Sequence, residues 1–542
     1  MMVRSTGRFP FFFLLFLSIW NVYGEKVADP LHLRWDWDAI DTTQVAFPRN
    51  FVWMVGSSEY QVSGSFAAPH SNWAHWELQE GLAPSRIACD SWDRYREDIA
   101  LMKRLGVTAY RFSVDWSIVE PAPGLINQEA IKHYSDVCDE LRKAGIKPMV
   151  TLHHFSHPMW FESLGGFEKQ ENIPLFVNFC SIIYRELGDR VEWWCTINEP
   201  TVYVLEGYLL GAFPPGYKWA CRTAGRVLHN LLRAHVAVYL ELKMIYAEQA
   251  KFGLKLEKEP SVGLAHQYLQ FEPYHGILHP AALMERIFAS TLSAWCNDSV
   301  INFFCTGVFN FPMPLITSWN LGKDVAKTHT ERKALIEQAK AEVEYAPMLK
   351  DSLDWIGINY YSHVFFKGSL SAQEADWSGC YPGDIQTDMP YTMYAEGLYL
   401  ALKRVSEIGK PIYITENGIA DARDLNRDTW IRRHLYAASK AIADGCDLRG
   451  FCYWSLLDNY EWNRGYVMRF GLYEFDAEAY FLEKMKNPFA LRSCKLRKGS
   501  QWFVDVVRGY AAGKFQLKSA ASDACKIEEE PNGAMSAVVS GG

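Results

Sequence analysis

The chain has 542 residues, of which 49% are hydrophobic and 15% aromatic, so it is long and apolar enough to form a large core. Its formal net charge is −8. Because a nucleic-acid-binding protein needs a basic face, this charge argues against that class of partner. Length alone allows roughly two to four domains, although a (β/α)8 barrel with long loops can exceed about 400 residues as one domain.

Residues 1–24 have the pattern of a secretory signal peptide. Arg4 and Arg8 form a positive segment, Phe9 to Trp20 are almost all apolar, and Gly24 offers a small residue for cleavage. The apolar stretch is too short for a typical membrane-spanning helix, and an uncleaved anchor is the alternative. We predict a protein that is secreted or resides in the lumen of the secretory pathway, with no integral membrane segment after cleavage.

Eight short apolar runs recur along the chain, and strands this apolar are typical of parallel sheets buried on both faces. Helical patterns separate them; in one, apolar residues from Tyr95 to Leu105 recur at three- and four-residue steps and Gly106 ends the helix. Strand–helix alternation of this kind predicts an α/β fold, a single (β/α)8 TIM barrel with long loops after its strands. The eight runs are Phe51–Ser57, Ala109–Val114, Lys147–Leu152, Trp193–Ile197, Ser261–Ala265, Asp354–Asn359, Pro411–Thr415 and Gly450–Ser455.

The barrel is predicted to occupy residues 25–515 as one domain. Between Ala265 and Asp354 lies a long excursion with helical pieces such as Thr330–Tyr345, which we interpret as a loop of the barrel. Residues 516–542 are rich in Ala, Ser and Gly and contain an acidic run. This composition predicts a disordered C-terminal tail.

Twelve cysteines show no CxxC pair and no cysteine spacing typical of a zinc site. Cys138 and Cys180 fall on predicted helices, and Cys195 and Cys452 on predicted strands, so we expect them to be small buried hydrophobic residues. Disulfide pairing is left open. Asn297, in Asn-Asp-Ser, is a predicted N-glycosylation acceptor in a eukaryotic host.

Two predicted strands end in a carboxylate beside an asparagine. Glu416 follows the strand Pro411–Thr415, and Glu199 follows Trp193–Ile197. A single glutamate at a strand end is more often solvated or salt-bridged than catalytic. Barrel enzymes, however, place their chemistry at the carboxyl ends of the strands, and glycosidic cleavage needs two carboxyl groups. The pair therefore predicts a glycosidase site.

Thr-Ile-Asn-Glu-Pro (196–200) and Ile-Thr-Glu-Asn-Gly (414–418) resemble the two signatures of glycoside hydrolase family 1, the β-glucosidase family. The resemblance extends from about Phe47 to about Gly513. It implies a retaining β-glycosidase that hydrolyses terminal β-D-glucosyl or galactosyl residues through a covalent glycosyl-enzyme. Glu199 would be the acid/base and Glu416 the nucleophile, and no metal or organic cofactor is implied.

The resemblance also implies residues that support the carboxylates. Arg111, in Tyr-Arg-Phe-Ser-Val, would flank the nucleophile; a structural ion pair is the alternative. Asn359 and Tyr361 point the same way along a strand, and matching the family places both in the pocket, with Tyr361 hydrogen-bonded to the nucleophile. Asn198 would contact the sugar 2-hydroxyl.

Five further residues match positions that bind the terminal sugar. Gln61 and His154 would bind hydroxyls, although a histidine at a strand end is often structural. Trp454 would stack under the ring. Glu461 would accept from the 4- and 6-hydroxyls, and Trp462 would donate its indole N–H to the 3-hydroxyl.

Several positions depart from the family pattern, and we expect them behind the pocket or at its rim: Ser63, Ile118, Ser156-His157 and Tyr391. Family members that act on phosphosugars carry a Ser/Lys pair that is not found after Tyr453, so a 6-phospho-β-glycosidase is disfavoured. The thioglucosidase alternative is disfavoured because those relatives lack the acid glutamate. A non-catalytic carbohydrate-binding or receptor protein on the same fold is the rival from another class. Both carboxylates favour the enzyme, and the oligomeric state is left open.

Overall fold

The protein is described from a computed structural model, in which residues 32–251, 258–275, 279, 281–311, 349–366 and 384–517 are placed. The predicted signal peptide at residues 1–24 lies outside the described residues. So do the predicted helix Thr330–Tyr345 and most of the predicted tail.

Eight parallel strands close into a barrel, which confirms the predicted (β/α)8 TIM-barrel fold. Each predicted apolar run overlaps one barrel strand. The described strands are β1 Val52–Gly56, β2 Ala109–Ser113, β3 Lys147–Thr151, β4 Trp193–Asn198, β5 Ser261–Gln267, β6 Gln270–Pro273, β7 Trp355–Asn359, β8 His363–Phe366, β9 Ile412–Asn417, β10 Leu448–Trp454, β11 Tyr473–Glu474 and β12 Lys495–Leu496. The order around the barrel is β1, β2, β3, β4, β5, β7, β9, β10.

Helices surround the barrel and pack on it with amphipathic faces. The predicted helix that ends at Gly106 spans Ser91–Leu105, and Gly106 adopts φ 87°, the left-handed conformation typical of a helix C-terminus. The described α-helices are Glu59–Ala67, Asn72–Glu80, Ser91–Leu105, Trp116–Val119, Gln128–Lys143, Met159–Ser163, Ile173–Leu187, Pro200–Val204, Cys221–Lys251, Ala282–Ser293, Ser299–Thr306, Ala395–Val405, Arg427–Ala443, Ala477–Lys486 and Gln501–Ala511. No described helix is both long and apolar enough to cross a membrane.

The barrel interior is filled by side chains from its strands, so it is a packed core and not a channel. Cys195 and Cys452, predicted to be small buried residues, belong to this cluster and are fully buried. At the carboxyl ends of the strands, beyond this apolar cluster, the inward-facing side chains are polar. The interior cluster is Met54, Ala109, Met149, Trp193, Cys195, Ala265, Trp355, Tyr413 and Cys452.

Two short strands extend the barrel on the side of its carboxyl ends. β6 follows β5, β8 follows β7, and the two pair in parallel. The N-terminal segment is bound to the same side of the molecule, because the backbone N–H of Trp35 and the indole N–H of Trp37 both donate to Glu396, at 2.9 and 3.0 Å.

Packing against the barrel continues beyond the predicted boundary at residue 515. Phe47 forms a bridge with Gln516, and the N–H of Leu517 donates to the Phe47 carbonyl over 2.9 Å. Residues 516 and 517 therefore do not belong to the predicted tail, because backbone hydrogen bonds to the start of the barrel hold them.

The described cysteines are all free thiols, ten in number, and Cys138 and Cys180 are fully buried as predicted. The expectation that Asn297 is a glycosylation acceptor is contradicted. This side chain is 1% exposed, and its amide donates to the Leu269 carbonyl over 2.7 Å while its oxygen accepts from the Leu269 N–H over 3.1 Å. The amide nitrogen is therefore engaged inside the folded protein.

Candidate active site

The two predicted carboxylates lie at the carboxyl ends of β4 and β9, and both are buried, at 6% and 4% exposure. Glu199 has φ +45°, so the chain turns out of β4, its N–H donates to the Ala265 carbonyl over 2.7 Å, and a short helix begins at Pro200. In β9 the register against β7 shifts by one residue just before Glu416. Such a bulge re-aims the side chains that follow it.

Each oxygen of the Glu416 carboxylate has its own donor. Arg111, from β2, places Nη1 2.5 Å from Oε1, and the Tyr361 hydroxyl lies 2.7 Å from Oε2. Arg111 is completely buried. These two contacts orient the carboxylate and stabilise its ionised form.

Two asparagines connect Glu416 to Glu199. Asn198 accepts from Arg111 Nη2 over 2.6 Å and from Asn359 Nδ2 over 3.0 Å. The same Asn359 nitrogen lies 2.8 Å from Glu199 Oε1. Side chains from β2, β4, β7 and β9 thus form one hydrogen-bonded network with a carboxylate at each end.

The two carboxylates differ in their electrostatic surroundings. Burial, followed by the negative charge of Glu416, raises the pKa of Glu199 well above its usual range. Burial also raises the pKa of Glu416, but Arg111 and Tyr361 oppose that rise. The surroundings therefore favour the protonated form of Glu199 and, through Arg111 and Tyr361, the ionised form of Glu416.

Most of the residues predicted to bind the sugar lie in the loop after β10 or in the loops beside it. Gln61, fully buried, donates through Nε2 to the Tyr460 carbonyl over 2.9 Å and to Glu461 Oε2 over 3.2 Å. Burial, followed by the charge of Glu416, raises the pKa of Glu461 to about 8. Glu461 therefore lies within electrostatic range of Glu416, at the same end of the barrel.

Aromatic rings form the remaining wall. His154 stacks beside Trp454 and Trp462, with ring centroids 5.8 and 6.1 Å apart. Burial, followed by the charge of Arg111, lowers the pKa of His154 well below its usual range, so the ring is neutral. Its Nε2 lies 3.1 Å from Asn198 Nδ2 and accepts from it. All the predicted site residues thus meet at one end of the barrel.

The positions that depart from the family pattern lie mostly behind this site. His157 bridges His153 and Glu162, with nitrogen–nitrogen and nitrogen–oxygen distances of 3.2 and 2.6 Å. Ser63 is buried and donates its hydroxyl to Glu59. These contacts hold the loops after β1 and β3, and Ile118 and Ser156 are also buried.

Tyr391, which also departs from the family pattern, is affected by the carboxyl groups of the site, and Thr415 has a role that the sequence did not reveal. Burial and then the charge of Glu461, with a smaller effect of Glu199, raise the pKa of Tyr391 well above its usual range, so this residue lies within electrostatic range of both carboxyl groups. Thr415, the extra residue of the bulge in β9, donates its hydroxyl to Asn359 Oδ1 over 2.6 Å. Its position immediately before Glu416 was the only signal in the sequence.

Comparison with known proteins gives one consistent result. The model for glycosyl hydrolase family 1 matches residues 43–509. Beta-glucosidase A of Thermotoga maritima is 31% identical over 456 residues, covering 79% of this chain and 93% of that protein. Furostanol glycoside 26-O-beta-glucosidase of Hellenia speciosa is 31% identical over 488 residues, covering 82% of this chain and 81% of that protein.

Solved structures are similar to this chain over most of their length. A β-glycosidase from Pyrococcus horikoshii has a TM-score of 0.67 and 28% identity, with 90% of this chain and 99% of that chain covered. The Thermotoga maritima β-glucosidase in complex with azafagomine has a TM-score of 0.70 and 28% identity, with 87% and 100% covered.

Proposed function

The chain belongs to glycosyl hydrolase family 1 and is a β-glycosidase, and from this premise we propose that it retains configuration and removes terminal β-D-glucosyl or galactosyl residues by double displacement. One observation carries the proposal: a buried pair of carboxyl groups in which Glu199 favours the protonated form and Arg111 and Tyr361 favour ionised Glu416. Retaining cleavage needs a general acid and a carboxylate nucleophile.

In the first step Glu416 attacks the anomeric carbon and Glu199 gives its proton to the leaving oxygen. The bond between the anomeric carbon and that oxygen breaks as the glycosyl ester forms. Esterification removes the charge of Glu416, which is one cause of the raised pKa of Glu199. The pKa of Glu199 therefore falls in the intermediate, and Glu199 becomes the base that takes a proton from the attacking water.

The surrounding network positions both groups. Arg111 and Tyr361 hold Glu416 from two sides, and Asn359 orients Glu199. Asn198 uses its oxygen for Arg111 and Asn359 and one N–H for His154. Its second N–H is the donor that we assign to the sugar 2-hydroxyl, a contact that strengthens in the transition state.

The terminal sugar is proposed to lie between the carboxylate pair and the loop after β10. Glu461 accepts from the 4- and 6-hydroxyls, and the Gln61 amide, 3.2 Å from it, holds the carboxyl in place and reaches the neighbouring hydroxyls. Trp454 supports one face of the ring, and Trp462 and His154 supply donors at its edge. A β-glycoside is therefore the substrate, and no nucleic acid is expected as a partner.

The anomer formed first tests the retaining mechanism. Proton NMR during hydrolysis of an aryl β-glucoside should show the β sugar before mutarotation, because two inversions at the anomeric carbon restore its configuration. An initial α sugar would contradict the double displacement.

We also propose that the protein enters the secretory pathway through residues 1–24. Sequencing of the mature N-terminus from the exported protein should then begin at Glu25. A mature chain that keeps Met1 would contradict cleavage and favour the uncleaved anchor.

A further inference from the structure

A second group of converging side chains lies away from the carboxylate pair. His32 comes from the N-terminal segment, Glu272 from β6 and His363 from β8. Each of the three side chains has a possible metal-ligand atom, and these atoms all lie within 4.8 Å of one another. Among the described residues, this is the one such group of at least three His, Cys, Asp or Glu side chains. The group joins the N-terminal segment to the two strands that extend the barrel.

Both imidazole rings present the same kind of atom to one carboxylate oxygen. The Nδ1 atom of His32 contacts Glu272 Oε2, and the Nδ1 atom of His363 lies 3.6 Å from the same oxygen. The side chains are buried, with exposures of 2%, 10% and 1% for His32, Glu272 and His363. Bulk water therefore contributes little to the charge balance of the group.

The second ring nitrogen of His363 has a partner that orients the ring. Nε2 lies 2.9 Å from the Thr392 hydroxyl, whereas the buried Nδ1 has no hydrogen-bond partner within the described residues. Tyr394 stacks on both imidazoles, with centroids 4.6 Å from His32 and 4.2 Å from His363. A metal-binding histidine is commonly held in this way, by a hydrogen bond at the nitrogen that does not bind the metal.

We propose that His32, Glu272 and His363 bind one zinc ion. Two imidazole nitrogens and one carboxylate oxygen form a donor set that zinc accepts in proteins, with bonds of about 2.0–2.2 Å. A four-coordinate ion places its ligand atoms about 3.3 Å apart, close to the 3.6 Å between His363 and Glu272. His32 Nδ1 touches the same Glu272 oxygen directly, so these two atoms would separate by about 1 Å when the ion binds. A water molecule would complete the coordination. Magnesium, which prefers oxygen ligands, fits this set poorly.

The ion would have a structural role and take no part in the glycosidase reaction. His363 follows Tyr361 by two residues, and Thr392 follows Tyr391, so the ligands and their support lie beside Tyr361, which donates to Glu416, and beside Tyr391. A zinc ion would therefore fix the N-terminal segment to β6 and β8 and would hold the backbone on which these two tyrosines are carried.

The zinc content of the purified protein tests directly whether these three residues bind the ion. Tag-free protein is loaded with zinc, dialysed and analysed by mass spectrometry. The wild type should keep about one zinc per chain, and His363→Ala and Glu272→Gln should lose it. His279→Ala is the matched control, because this exposed histidine stacks on His275 in a separate His/Glu pair and should leave the zinc content unchanged.

Two further measurements keep the test decisive if a variant folds poorly. Thr392→Val preserves shape and removes the hydroxyl beside His363, so zinc affinity should fall about 10- to 100-fold. Cobalt bound to the wild type should give the visible absorption of a four-coordinate site, and competition with zinc should abolish it. The proposal is overturned if folded wild-type protein keeps no zinc after dialysis. It is also overturned if His279→Ala loses the zinc. A proton shared by His32, Glu272 and His363 would then explain their contacts.

Discussion

Arg111 lies against Glu416 with 2.5 Å between Nη1 and Oε1, and both side chains are buried, at 0% and 5% exposure. The arginine comes from β2 and the glutamate from β9, on opposite sides of β1 and β10 in the barrel order. The pair therefore connects strands that are not neighbours. An ion pair this deeply buried serves both the fold and the electrostatics of the site, and each function can be tested separately.

Replacing Arg111 by methionine should destabilise the protein. The change leaves the Glu416 carboxylate buried and uncompensated, and breaking such a pair costs about 3–5 kcal/mol in the free energy of unfolding. Urea denaturation measures the loss. Lys132→Met, which removes an exposed ion pair with Asp136, is the control and should cost less than about 0.5 kcal/mol. The double variant Arg111→Met/Glu416→Gln should regain part of the stability, and no recovery would argue against an uncompensated charge.

Replacing Glu416 by glycine should lower turnover by about 10⁴-fold or more, because no glycosyl ester can form. Azide can occupy the vacated space and attack the same face of the sugar, so it should restore activity and give the α-glycosyl azide. In Glu199→Gly the nucleophile remains, and azide should instead give the β product. Turnover close to wild type in Glu416→Gly would remove this residue from its proposed role.

The variant Glu199→Gln keeps the shape of the side chain and removes its proton. General acid catalysis contributes about 10²–10⁴-fold, and it matters most for poor leaving groups. Steady-state and pre-steady-state kinetics should therefore show that the rate of the first step falls strongly with alkyl glycosides and only slightly with dinitrophenyl glycosides. Glu59→Gln is the matched control, since burial raises the pKa of Glu59 to about 8 but its partner is Ser63. Equal losses for both leaving groups would contradict the assignment of Glu199 as the acid.

The charge of Glu416 should control the titration of Glu199. A carboxyl with a raised pKa keeps its proton below that pKa, so kcat/KM should fall as the pH rises through it. In Glu416→Gln the repelling charge is absent, and the pKa of Glu199 should move down. Carbon NMR of labelled glutamate follows this titration in the inactive variant. Glu461→Gln should produce a smaller downward shift, because its charge has the weaker effect on Glu199; a larger one would contradict the proposed coupling.

Glu461 should determine the choice of sugar. A carboxyl can accept from two hydroxyls, and the change from glucose to galactose alters one of these bonds, so both aryl β-glycosides should be hydrolysed within a factor of about 10². Above about pH 8, where Glu461 is ionised, a 6-phosphate would bring negative charge against it, and like charges about 4 Å apart repel by several kcal/mol in a partly dry site. The 6-phosphoglucoside should therefore be rejected by orders of magnitude at such a pH, and finding it the best substrate there would refute this placement of Glu461.

The rejection should also depend on pH. Because the pKa of Glu461 is raised to about 8, the group gains charge as the pH rises from 7 to 9. The ratio of kcat/KM for the glucoside to that for the 6-phosphoglucoside cancels the titration of the catalytic pair and should increase over this range. Arg464, whose charge opposes the rise in the pKa of Glu461, is the matched position: Arg464→Gln should raise that pKa further and move the increase of the ratio to higher pH.

Local sequence patterns were sufficient to predict the barrel and the carboxylates at the carboxyl ends of its strands. Apolar runs of strand length identified all eight barrel strands within a few residues, because strands buried on both faces must be apolar along their whole length. Glu199 and Glu416 were found because each interrupts such a run at its carboxyl end. A local motif also gave a wrong prediction. Asn297 has the sequence of an N-glycosylation acceptor, but its side-chain amide is buried and hydrogen-bonded to the Leu269 carbonyl.

The sequence by itself determined which strands form, where they end, and that two carboxylates meet at one end of the barrel. Only the tertiary structure decided which carboxylate keeps its proton, because the distances to Arg111, Tyr361 and Asn359 depend on strands far apart in the chain. Electrostatic and hydrogen-bond energies depend on separations of a few ångströms, and barrel closure sets those separations. For the same reason no local pattern could reveal that His32, Glu272 and His363 converge.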